Sequence, residues 1–257
     1  MLDLGLTDRI ALITGGSDGL GRATAHRLAA EGCKVAICAR RADHLEAAAA
    51  AIRDDTGGEV LAHAADVADA AAIEGLVDAT VERFGGIDIL VNNAGASAAA
   101  ALEDLDDDAW QTDFNLKLMA AVRLCRRVVP ILRQRGGGSI VNATIVGGKA
   151  PAANTLPTSV SRAAGINLTK SLANTYAIDN IRINTICIGL IKSAQWERRA
   201  GDTPMEEFYT EMGQGIPLGR LGEAEDYADL VAFLVSDRAT YITGTAVNLD
   251  GGMCAVV

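Results

Sequence analysis

The sequence predicts a doubly wound α/β fold, a parallel sheet of about seven strands with helices on both faces, and three observations carry that prediction. Short β-branched runs alternate with Ala-rich amphipathic stretches along the chain. The runs are apolar on both sides rather than on alternate residues, as befits strands covered by helices above and below. The chain has 257 residues, 49% hydrophobic and 22% charged, with 27 Gly and only 5 Pro, a composition suited to one sizeable core.

Taken in order, the first strand, Ile10–Thr14, runs straight into a glycine-rich stretch and the helix Leu20–Ala30. Lys34–Ala39 and helix Asp43–Thr56 follow, then Glu59–Ala64 and Asp69–Phe84. Ile87–Asn92 leads to a long helical pattern, Asp107–Arg135, and Ser139–Ala143 leads to Thr158–Tyr176. Arg182–Cys187, the helix Glu223–Ser236 and the strand Ala246–Leu249 complete the series. A helix between successive strands leaves them parallel, and right-handed crossovers then wind the sheet both ways. No linker, composition shift or repeat divides the chain, so 1–257 is read as one domain. Leu190–Arg220 breaks the rhythm, with Trp196, Met205, Phe208, Tyr209 and Met212 among charges and glycines. An insertion of this size between a strand and its helix is expected to be a lid or an irregular subunit contact.

Bulk properties narrow the function. A net charge of −10 argues against nucleic acid, whose binding rests on basic surface. The five cysteines (Cys33, Cys38, Cys125, Cys187, Cys254) have no metal-ligand spacing and read as reduced thiols. Neither a leader pattern nor a long uncharged apolar run is present, so the expectation is a cytoplasmic protein that does not span a membrane.

The turn after the first strand reads TGGSDGLG, placing Gly15, Ser17, Asp18, Gly19 and Leu20 at the start of a helix. Glycines there let a pyrophosphate approach the backbone, and the helix offers free N–H groups and its positive dipole end. The second strand ends in AICARR, so Arg40 and Arg41 stand where they could pair with a ribose 2′-phosphate. The cofactor expected is NADP, with NAD as the alternative because Asp18 brings a negative charge to the same region.

These features, with Asp66-Val67 after the third strand, NNAG (Asn92–Gly95) after the fourth, IRIN at Ile181–Asn184 and the closing ITGTAVNLDGG, resemble the short-chain dehydrogenase/reductase family over essentially the whole chain. The resemblance implies a Rossmann fold and an NAD(P)-dependent oxidoreductase acting on a small carbonyl or alcohol. It places Asp66 and Val67 at the adenine, Asn93, Ala94 and Gly95 along the cofactor trough, and Ile191 and Ser193 at the nicotinamide carboxamide. It also implies a homotetramer or homodimer packed through the two longest helices, with a mixed oligomer as the alternative.

The family's chemistry uses Asn, Ser, Tyr and Lys, the Lys one helical turn after the Tyr so that its charge lowers the phenol pKa. Here the Asn position is Asn115, the Ser position is Ile145 with Thr144 beside it, and Tyr and Lys are replaced by Thr158 and Arg162. A Thr hydroxyl is a far weaker acid than a phenol, and Arg does not exchange protons near neutrality. Arg162 would still bridge the cofactor ribose, while Thr144 and Thr158 would only position a carbonyl. The motif, with IGLIKSAQW after the sixth strand, resembles a divergent subgroup of the family. Three readings stay open: an oxidoreductase with its proton from water, substrate or a lid residue such as Tyr209; a non-catalytic subunit of a mixed oligomer; and a nucleotide-responsive binding protein. Apolar lid residues favour a fairly hydrophobic substrate. Lys149 is read as a spare cation at the pocket rim and Arg198 and Arg199 as a solvated face. EDLDDD (Glu103–Asp108) is read as acids at a helix start rather than a metal site.

Overall fold

The computed structural model describes residues 3–193 and 201–257. The strands are β1 (Ile10–Thr14), β2 (Lys34–Ala39), β3 (Val60–Ala64), β4 (Ile89–Asn92), β5 (Gly138–Ile145), β6 (Ile181–Ile188) and β7 (Ala246–Leu249). They form one seven-stranded sheet in the order β3-β2-β1-β4-β5-β6-β7, with every pairing parallel. The winding direction reverses between β1 and β4, and in such sheets the crevice beyond the strand ends at this point receives the ligand.

The helices are α1 (Gly19–Ala30), α2 (Ala42–Thr56), α3 (Ala70–Phe84), α4 (Asp107–Phe114), α5 (Ala120–Gln134), α6 (Thr158–Tyr176), α7 (Met205–Gly213) and α8 (Ala224–Val235). Side chains define several of their starts: Asp18, Asp69 and Asp106 each accept a backbone N–H at the head of α1, α3 and α4. Alternate residues of β1 explain the two-sided cover. Ala11 and Ile13 join a core with Leu28 of α1, Ile52 of α2 and Val231 of α8. Leu12 faces the opposite core, with Leu76 of α3 and Val128 of α5.

Two kinds of departure from expectation matter for the site. β5 and β6 each run further at both ends than the sequence suggested, through the pairs Thr144↔Cys187 and Ile145↔Ile188. The single long helix expected over Asp107–Arg135 is interrupted by a π turn at Asn115–Met119, closed by the Ala120 N–H bonding to the Asn115 carbonyl. Such one-turn widenings insert a residue and re-aim the side chains around them. Among the described residues all five cysteines are free, and no helix is long and apolar enough to cross a membrane.

Candidate active site

The crevice beyond β1 and β4 is built mainly from backbone. Gly15 and Gly19 adopt positive φ, 69° and 47°. Gly21 is pressed so closely on the loop that a Cβ would collide with the Gly15 carbonyl oxygen. A Cβ on Gly19 would meet nothing within 4 Å, so the space over the head of α1 is open. Asp18 caps that helix by accepting the Gly19 N–H at 2.9 Å and lies 3.9 Å from His44. Ser17 and Leu20 are half-buried in the same turn. Arg40 and Arg41, at the end of β2, are exposed, and their guanidinium groups have no ion pair or hydrogen bond among the described residues. Asp66, at the end of β3, is exposed and turns the chain by accepting the Ala68 N–H, while Val67 is buried beneath it. An open glycine cradle, a helix head and two unpaired guanidinium groups fit a nicotinamide dinucleotide carrying a 2′-phosphate.

The NNAG segment ties the strand ends together. The Asn93 backbone and side-chain N–H groups donate to Thr14 Oγ1 and the Thr14 carbonyl at 3.0 and 2.9 Å. The Ala94 N–H shares Thr14 Oγ1. Asn92 donates to Asn142 on β5 at 2.8 Å, and Asn142 donates to Thr169 on α6 at 2.9 Å. This polar ladder places α6 against β4 and β5, and with it Thr158 and Arg162. Gly95 leaves room for the Arg162 guanidinium, into which a Cβ there would run. Arg162 donates to the Ala143 carbonyl at 2.7 Å, while its Nε is enclosed and has no protein partner. Burial pulls its pKa below the ordinary arginine value, opposed by the charge of Asp113.

The expected catalytic residues do not all converge. Ile145 holds the Ser position and brings no hydroxyl. The expectation that Thr144 positions a carbonyl is corrected: its hydroxyl is turned into the sheet, toward Thr185 Oγ1 at 3.1 Å, the Ile186 carbonyl at 3.2 Å and Cys187 Sγ at 3.3 Å. Asn115, half-buried at the start of the π turn, accepts from the Gln111 side chain at 3.2 Å. Thr158 is at the expected place, but its hydroxyl has three partners. It accepts from the Ala98 N–H at 3.1 Å and Lys117 Nζ at 2.8 Å, and donates to Asp113 Oδ2 at 3.2 Å. Lys117 and Asp113 form an ion pair one turn apart, both side chains 1% exposed, and Ser161 donates to Asp113 at 2.5 Å. The sequence did not single out Asp113, Lys117 or Ser161. The i, i+4 spacing of Asp113 and Lys117 was the visible signal, but on a helix such pairs are usually solvated.

The remaining candidates are placed as follows. Ile191 is buried in the core and bridges Gly222, and Ser193 is half-buried at the limit of the described chain. Lys149 is no spare cation: its Nζ donates to the Ala246 carbonyl and Asn248 Oδ1, both at 2.7 Å, pinning β7. Met205, Phe208, Tyr209 and Met212 share one half-buried face of α7, and Lys192 lies 5.5 Å from the Tyr209 ring centroid. Trp196, Arg198 and Arg199 lie outside the described residues. Asp106 at the head of α4 accepts the Ala109 N–H at 2.8 Å, the helix-start role expected for the acidic run.

Comparison with known proteins sets this geometry in a family. Residues 15–254 match the family profile described as Enoyl-(Acyl carrier protein) reductase. The chain is 38% identical over 254 residues to levodione reductase of Leifsonia aquatica, covering 97% of this chain and 95% of that one. It superposes on L-sorbose reductase from Gluconobacter frateurii, solved with NADPH and L-sorbose, with a TM-score of 0.96 and 35% identity over the whole of both chains. A short-chain oxidoreductase from Pseudomonas aeruginosa, described as containing an atypical catalytic center, matches with a TM-score of 0.93 and 33% identity over 98% of this chain and 100% of that one. From the glycine turn to the C-terminal strand, this chain belongs to the short-chain dehydrogenase/reductase family.

Proposed function

We propose that the chain is an NADP(H)-dependent oxidoreductase that interconverts a carbonyl and an alcohol at an altered catalytic site. The carrying observation is the crevice itself: an open glycine turn on the head of α1, flanked by the unpaired Arg40 and Arg41. In this reading the turn from Gly15 to Leu20, at the head of α1, receives the pyrophosphate and Arg40 reads the 2′-phosphate. Asp66 and Val67 flank the adenine, Asn93 to Gly95 form the trough, Arg162 bridges the nicotinamide ribose, and Ile191 and Ser193 lie by the carboxamide. The bound cofactor supplies or accepts a hydride at the substrate carbon. The chain holds the two reactants together, excludes water and manages the proton.

Further parts of the reading have their own support. Residues 1–257 act as one dinucleotide-binding domain, with the 190–220 segment as its lid; the half-buried apolar face of α7 suits a fairly hydrophobic substrate. The exposed Val160 on α6 suits a homodimer or homotetramer packed through the long helices. Five free thiols suit a cytoplasmic protein. The second reading, a nucleotide-binding subunit of a mixed oligomer, is favoured by Ile145 and by the fully engaged Thr158 hydroxyl.

Fluorescence titration with NADPH and NADH tests the first reading. Tighter binding of NADPH is expected, and Arg40→Asp should erase at least about tenfold of that preference. Equal affinity for the two cofactors would remove Arg40 as the phosphate reader. NADPH oxidation against a panel of hydrophobic ketones and sugars separates the enzyme from the subunit: binding without turnover on any of them supports the latter.

A further inference from the structure

Beside the position where the family keeps its phenol, this chain buries a lysine supplied by a different element. Lys117 belongs to the π turn between α4 and α5, and its Nζ donates both to Asp113 and to the Thr158 hydroxyl. Among the described residues, the charged groups acting on it are Asp113 of α4 and Arg162 of α6. α6 also presents the Thr158 and Ser161 hydroxyls to the cluster, and the chain after β4 presents the Ala98 N–H. Burying an amine and a carboxylate together is costly, and an apolar pair of similar size would hold two helices at least as well. A buried ion pair beside the reacting position, on a widened helical turn, is therefore a candidate for chemistry rather than for stability alone.

Two spaces meet at this lysine. On the inner side, Lys117 and Leu116 line a cavity of about 20 Å³ with Asn92, Asn142, Thr144 and Arg162. That volume suits about one water, and Asn92 Oδ1 and Arg162 Nε are both enclosed without protein partners. On the outer side, Lys117 and Asp113 line an open groove of about 450 Å³ with Ala98, Asp106 and Thr112. Lys117 thus lines both an enclosed one-water cavity and an open groove.

We propose that Lys117 is the proton reservoir of the reduction, delivering its proton through the Thr158 hydroxyl to the substrate oxygen; this rests on reading the chain as a carbonyl reductase. As the carbonyl oxygen takes the Thr158 proton, Thr158 Oγ1 takes one from the Lys117 ammonium, so threonine never carries charge. The carbonyl carbon receives the hydride from NADPH, leaving NADP⁺ and the alcohol, and the neutral Lys117 amine regains a proton from water in the outer groove. Thr158 gives up only its 3.2 Å bond to Asp113, which keeps Ser161 and Lys117 as partners. Burial lowers the Lys117 pKa, Asp113 opposes the shift and Arg162 adds to it, so the ammonium parts with its proton more readily than a surface lysine. Thr158 touches the substrate, whereas Lys117 acts through it as a positioning residue.

The first test uses the cofactor-free protein. In ¹³Cε-lysine NMR, with the Lys117 signal assigned by its loss in Lys117→Arg, Lys117 should titrate below the surface lysines and shift in Thr158→Val. Titration together with the surface lysines, unmoved by Thr158→Val, overturns the proposal. The second test is kinetic. Lys117→Arg keeps the charge but cannot release a proton, so kcat should fall about a hundredfold and its pH dependence flatten. NADPH affinity should stay within about twofold. Undiminished kcat overturns the relay, and if Lys117→Arg does not fold, Thr158→Val must show the same loss. A wild-type chain that turns over no carbonyl defeats the reductase reading itself, whereas turnover undiminished in Lys117→Arg defeats only the relay.

Discussion

The Asp113 and Lys117 side chains are each 1% exposed, so removing either leaves the other charge buried and unpaired. Lys117→Met alone should destabilise the fold by about 3–5 kcal/mol, whereas Asp113→Asn combined with Lys117→Met should recover part of that loss, because no lone charge remains. Urea denaturation of the two singles and the double measures this coupling; additive losses would show that the pair is hydrated rather than desolvated. At this scale the site was only half legible in the sequence. The replacement of the family's Ser, Tyr and Lys by Ile145, Thr158 and Arg162 could be read directly, and so could its chemical consequence. The compensating lysine could not, since the reach of Lys117 to Thr158 depends on how two helices separated by a whole strand are docked. Thr144 misled for a related reason: its hydroxyl had partners on β6 that sequence adjacency does not reveal.

The glycine turn is the element most fully legible in the residues themselves. Its position between β1 and α1 follows from their order, and so does the need for close backbone approach. The tertiary structure adds that Gly21 has no room for a side chain, because the obstacle is the Gly15 carbonyl, a backbone atom that cannot swing aside. Gly21→Ala should therefore weaken NADPH binding by at least about tenfold, through displacement of the turn rather than loss of a contact. A fluorescence titration giving the wild-type affinity would show that the turn can shift without harm. Gly19→Ala is the instructive comparison. Its Cβ meets nothing, so any effect there comes from the positive φ of 47° and the space left for ligand. The π turn at Asn115–Met119 lies at the opposite extreme of legibility. Nothing in FNLKLM distinguishes it from ordinary helix, and the extra residue is accommodated by packing against α6.

Across the whole molecule the buried thiols make the fold sensitive to alkali. Burial pushes Cys33, Cys38 and Cys125 up to about 12 from 9.0, and it also raises the buried Tyr227 phenol. A folded pKa above the unfolded one means that this stability is intact below pH 9.0 and is lost as the pH climbs toward 12. Each thiol then withdraws up to about 1.4 kcal/mol per pH unit within that window. Thermal unfolding at about pH 8 and about pH 10.5 should show a clear fall in Tm between the two. Ellman's reagent on the native protein at the lower pH should modify the half-buried Cys254 first. A Tm unchanged between the two pH values would place the thiols in contact with water.

The sequence by itself determined the sheet, its parallel strands, the glycine turn and the loss of the usual acid, because each follows from periodicity or from the chemistry of residues close along the chain. Only the tertiary structure decided which hydroxyls are free, that Lys149 serves β7, and that a lysine from the α4–α5 junction stands beside Thr158. Those outcomes depend on distances between elements far apart in the chain, and on burial, which turns an ordinary i, i+4 ion pair into a desolvated one.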